Sequence, residues 1–99
     1  MQVTKTVKET RDLIKNWKRE GKTIGLVPTM GFLHEGHASL IKRCREENDI
    51  VVVSDFVNPT QFGPTEDLEA YPRDFKRDSE LCESLGADVI FHPEPEDMY

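Results

Sequence analysis

Ninety-nine residues make one small domain at most, with a core that buries about 60 to 70 % of the unfolded surface. Hydrophobic residues are 36 % and charged residues 32 % of the chain. No apolar run approaches the roughly 18 to 20 residues that cross a bilayer, and Met1-Gln2-Val3-Thr4-Lys5 lacks the apolar stretch of a signal peptide, so a cytoplasmic protein with no membrane partner is expected. The net charge of −6 is uneven: residues 1–48 carry 10 basic and 6 acidic side chains, residues 49–99 carry 3 and 13, which argues against nucleic acid as a partner.

In chain order, Gln2-Val3-Thr4 is a candidate short strand. Thr6 and Glu9 have capping-box spacing, and Leu13, Ile14 and Trp17 form one stripe ending before Gly21, which predicts a helix over 6–20. Lys22 to Val27 is β-rich and unalternated, the pattern of an inner strand covered on both faces, and Pro28 is expected to stop it. A second helix is expected from about Gly36 to Glu47 with Leu40, Ile41 and Cys44 inward. Asp49 to Val57 holds four consecutive β-branched residues and predicts a central parallel strand.

Asn58 to Pro64 is punctuated as a loop and precedes a short helix near Asp67 to Ala70. Asp74 can cap a helix turning Phe75, Leu81, Cys82 and Leu85 inward and closed by Gly86. Ala87 to Phe91 is a last strand, and Glu94 to Tyr99 a terminal helical turn. Alternating β and α segments predict an open, mostly parallel sheet in an incomplete three-layer α/β/α arrangement. Cys44 and Cys82 lack C-x-x-C spacing and fall on apolar helix faces, which assigns them to packing.

The chemistry concentrates between the first long strand and the second helix, at His34-Glu35-Gly36-His37. Ligands of open α/β sheets bind beyond the strands' carboxyl ends, and a helix N-terminus there stabilises anions through its unpaired N–H groups. His34 and His37, three apart on one helix face, can both donate to a triphosphate, and Gly36 leaves room for a base against the backbone. The net negative charge does not oppose this, because screening over about 8 Å leaves local dipoles in control. The competing readings are two histidines satisfied by nearby carbonyls, or a zinc site lacking a third ligand nearby in sequence.

Asn58 and Gln61 follow the long strand, where amides can orient a polar substrate, although Asn58-Pro59 also suits a turn. Arg73 after Tyr71-Pro72 is either an anion contact or a surface arginine. Asp55 is the local oddity: near the end of a buried strand it needs a partner or an opening to solvent.

Val27-Pro28-Thr29-Met30-Gly31, Leu33-His34-Glu35-Gly36-His37, Phe56-Val57-Asn58-Pro59, Gln61-Phe62-Gly63-Pro64, Tyr71-Pro72-Arg73 and Glu96-Asp97-Met98-Tyr99 together resemble the amino-terminal portion of the pantothenate synthetase (pantoate-β-alanine ligase) family, essentially end to end. His34 to His37 is similar to the H-I-G-H element of nucleotidylyltransferases and class I aminoacyl-tRNA synthetases. The resemblance implies a Rossmann-like sheet of that type, with residues 1–99 forming the first part of a nucleotide-binding domain and a carboxyl-terminal domain absent.

It further implies an ATP- and Mg²⁺-dependent ligase of pantothenate and coenzyme A biosynthesis that joins pantoate to β-alanine through a pantoyl adenylate and is homodimeric at full length. Carried over by position, Pro28, Thr29, Met30, Gly31, His34, Gly36 and His37 would contact ATP, with His34 and His37 catalytic; Gln61 would hold pantoate and Asn58 shape its pocket. The Mg²⁺ ligands are not implied by any residue here. Alone, the chain is expected to bind ATP weakly and turn over little or nothing. The alternatives are a small nucleotidylyltransferase and a non-catalytic module.

Overall fold

The computed structural model describes residues 1–31, 33–56 and 74–94. Its elements run β1 (Gln2–Thr4), α1 (Val7–Arg19), β2 (Ile24–Thr29), α2 (Glu35–Glu47), β3 (Ile50–Asp55), α3 (Phe75–Ser84) and β4 (Val89–Phe91). All strand pairs are parallel, in the order β1-β4-β3-β2. The short Gln2–Thr4 segment is thus a strand, held in register against Val89, Ile90 and Phe91.

Burial follows from the β-branched run. Val51 and Val53 point to one face, where they pack with Ile41 of α2, Cys82 of α3, Leu33 and Ile90. Ile50 and Val52 point to the other, where Leu13 and Trp17 of α1 cover them with Val89 and Ile24. Period-two alternation therefore sends one strand's side chains into two cores, and three layers result. Helix ends follow the sequence signals: Thr6 Oγ1 accepts the Glu9 N–H at 3.1 Å, and Asp74 Oδ1 accepts the Arg77 N–H at 3.1 Å. Gly86, at φ +89°, leads from α3 toward β4.

Three expectations are corrected. β2 is an edge of the four described strands rather than an inner one, and Leu26 (63 % exposed) and Pro28 open to solvent while Val27 and Thr29 are buried. Pro28 does not end the strand: Thr29 O accepts the Phe56 N–H, so the alternate position, Pro28, turns its ring nitrogen away from β3, where an edge needs no donor. Leu40 is 58 % exposed, because α2 presents His37, Ala38, Ile41, Cys44 and Arg45 to the fold at three- and four-residue spacing. The expected helix near Asp67 to Ala70, the loop Asn58 to Pro64 and Arg73 lie outside the described residues, as does all but Glu94 of the terminal turn.

Candidate active site

The strands run the same way, so the carboxyl ends of β2, β3 and β4 lie at one rim. From β2 the chain turns on Gly31, at φ +88°, whose N–H donates to Thr29 Oγ1 at 3.0 Å. A side chain at Gly31 would meet Asp55 Oδ1, 2.9 Å from its first carbon, so this turn needs glycine for both backbone and space. Pro28 is exposed, Met30 half-buried, and Thr29 buried at the strand's last position.

His34 is not on the face of α2. It is the N-cap, extended at φ −136°, and His37 occupies the third helical position. The two residues cap each other: the Gly36 N–H donates to His34 Nδ1 at 3.0 Å, and the His34 N–H donates to His37 Nδ1 at 3.2 Å. The rings lie 4.2 Å apart, tilted by 51°. Because each Nδ1 accepts, each neutral ring carries its proton on Nε2, which is left to donate. Burial lowers the His37 pKa, the neighbouring His34 lowers it further, and Asp78 opposes both. Gly36 serves the histidine itself, since a side chain there would sit 2.9 Å from His34 Cε1.

Asp55 has found a partner. Its carboxylate is 3.8 Å from His92 Nδ1, which also lies 3.1 Å from the Asp55 carbonyl, and Phe75 stacks on the His92 ring at 4.2 Å. Burial pushes the Asp55 pKa up, His92 pulls against it and Asp78 adds to the rise. Cys82 is fully buried and its thiol is pushed up to about 12, by burial first and then by Asp55 and Asp78, as suits a packing residue. Cys44 is partly buried against the same core, and burial raises its pKa too.

Sequence reading missed Asp78, Arg77 and His92. Asp78 is 1 % exposed and accepts the Leu33 N–H on Oδ1 at 2.8 Å, while Arg77 Nη2 donates to Leu33 O at 2.8 Å. A signal existed, for Asp78 stands on the inward stripe of α3 between Phe75 and Cys82, where an acid demands a partner. Pro28, Thr29, Met30, Gly31, His34, Gly36 and His37 converge on the β2–α2 junction. Asn58 and Gln61 lie outside the described residues.

The sequence profile of the Pantoate-beta-alanine ligase family matches residues 2–99. The chain belongs to that family. It is 59 % identical over all 99 residues to the pantothenate synthetase of Clostridium acetobutylicum, covering 35 % of that protein. It is 64 % identical over 94 residues to that of Bacillus licheniformis, covering 95 % of this chain and 33 % of the relative. Among solved structures, pantothenate synthetase from Thermus thermophilus superposes at a TM-score of 0.90 with 47 % identity, over 100 % of this chain and 34 % of that one.

Pantoate-beta-alanine ligase from Francisella tularensis, complexed with beta-gamma ATP and beta-alanine, does so at 0.90 with 44 % identity, over 100 % and 38 %. The chain therefore spans about a third of the curated relatives it matches. Its sheet is that of the pantoate-beta-alanine ligases, a nucleotidylyltransferase-type α/β fold, in agreement with the expected fold class.

Proposed function

We propose that this chain is the amino-terminal part of the nucleotide-binding domain of a cytoplasmic pantoate-β-alanine ligase, homodimeric at full length and without nucleic-acid or membrane partners. The reaction joins pantoate to β-alanine in two steps. A pantoate carboxylate oxygen attacks the α-phosphorus of ATP and pyrophosphate leaves; the β-alanine amine then attacks the pantoyl adenylate carbonyl, AMP leaves, and pantothenate and a proton are released. Activation is needed because an amine cannot displace an oxide from a carboxylate.

The observation that carries this reading is the reciprocal His34–His37 cap, which leaves two Nε2–H donors at the N-terminus of a 13-residue helix. Donors fixed before the reaction stabilise charge on the phosphates without reorganising, and the helix N-terminus adds to the field. Pro28, Thr29, Met30, Gly31 and Gly36 line the nucleotide's side of this junction in the same reading, Gln61 holds pantoate and Asn58 shapes its pocket. The Francisella relative, bound to beta-gamma ATP and beta-alanine, lends support.

Among the described residues no three His, Cys, Asp or Glu side chains gather as a metal cage. Mg²⁺ belongs to the same reading, where it would neutralise charge on the nucleotide's phosphates. The test is pyrophosphate release by the full-length protein carrying this segment. Release dependent on pantoate, with pantothenate formed once β-alanine is added, supports the reading; release driven by phosphorylated alcohols instead identifies a nucleotidylyltransferase and overturns it.

A further inference from the structure

The histidine loop is gripped by a helix that begins about forty residues later. Leu33, immediately before the His34 cap, is fixed three ways: its side chain is 1 % exposed in the core, its N–H donates to Asp78 Oδ1, and its carbonyl accepts from Arg77 Nη2, both at 2.8 Å. Arg77 Nη1 stands 3.9 Å from Asp78 Oδ1, so the two groups act as a mixed-charge clamp on one residue's two backbone polar groups. A buried carboxylate is costly unless a specific geometry uses it, and here it reaches the backbone one residue from the ring pair. Leucine packing alone would set where Leu33 sits; the clamp also sets the rotation of its flanking peptides, and with it the direction of the His34 N–H that holds His37.

We propose that Asp78, assisted by Arg77, is a positioning residue for the His34–His37 pair, fixing the rings toward the phosphates from behind the loop without itself touching substrate. This rests on the ligase reading above. It predicts that the acceptor oxygen matters more than the negative charge. In the full-length ligase, D78N keeps an oxygen for the Leu33 N–H and should retain kcat within about threefold. D78A removes the acceptor and should lower kcat about 10²-fold, the cost of a displacement near 1 Å, with the KM for pantoate unchanged. R77M, altering a half-exposed side chain, should lower kcat in the same direction and less.

Wild-type kcat in D78A overturns the proposal, as does D78N damaged equally with D78A, because the charge and not the hydrogen bond would then be at work. A loss in D78A that tracks the folded fraction by circular dichroism also overturns it. Should D78A fail to fold, R77M and D78N decide: R77M with wild-type kcat, or folded D78N with a loss of about 10²-fold, ends it. Failure of the parent reading is seen separately, as wild-type protein that makes no pantothenate.

Discussion

The two layers flanking the sheet handle polar burial in opposite ways. On the α1 side the core is Ile50, Val52 and Val89 under Leu13 and Trp17, and its buried polar contact, Thr4 Oγ1 to Thr10 Oγ1 at 2.8 Å, is uncharged. On the α2–α3 side Asp55 and Asp78 are both buried, beside Gly31, Cys82 and His92. Neutral hydroxyl pairs cost little to bury, whereas carboxylates cost several kcal/mol unless matched. Charge is buried where it organises the histidine loop, and the opposite layer serves as support.

The largest effect expected from this contrast is on catalysis. In the full-length ligase, H37A should lower kcat by about 10² to 10³ with pantoate affinity nearly unchanged, measured by steady-state pantothenate formation. Near-normal turnover would remove the histidine from the chemistry. Next come two glycines. G36A pushes on the His34 ring and should lower kcat about 10- to 100-fold. G21A has nothing within 4 Å and φ +80°, so it should cost about 1 kcal/mol of stability and no activity.

A smaller effect is in pH dependence. Folding raises the Asp55 pKa, so the folded protein holds that proton more tightly than the unfolded chain, and stability falls as pH rises from the ordinary carboxylate range through the raised value. D55N removes this fall, and its melting temperature should gain on the wild type between pH 4 and pH 7. An unchanged difference across that range would show that Asp55 is already stabilised as the ion. Smallest is D12A, which breaks an exposed Lys8–Asp12 pair on α1 and should leave melting temperature and kcat unmoved.

What was legible in the sequence is what local pattern encodes. The β-branched run of β3, the Thr6 and Asp74 caps and the inward stripe of α3 were readable because each is set by neighbours within a turn or two. The junction of strand, glycine and histidines was readable for the same reason. Position within the sheet was not: Ile24 to Val27 reads as an inner strand, yet sheet order depends on partners from other parts of the chain. The role of Asp78 was hidden likewise, since its partner Leu33 is 45 residues away, and only the misplaced acid on an apolar stripe hinted at it. His34 as a cap went unread because histidine is a rare choice there, and its imidazole nitrogen does what a serine or aspartate oxygen usually does.

The reach of α3 back to Leu33 bears on the order of synthesis. A nascent polypeptide that has emerged only through β3 already carries both imidazoles, but neither half of their backbone anchor. Vectorial folding would complete the strand and the histidine-bearing helix first, and the geometry of the histidine loop would mature only after the Asp74-capped segment leaves the ribosome and docks.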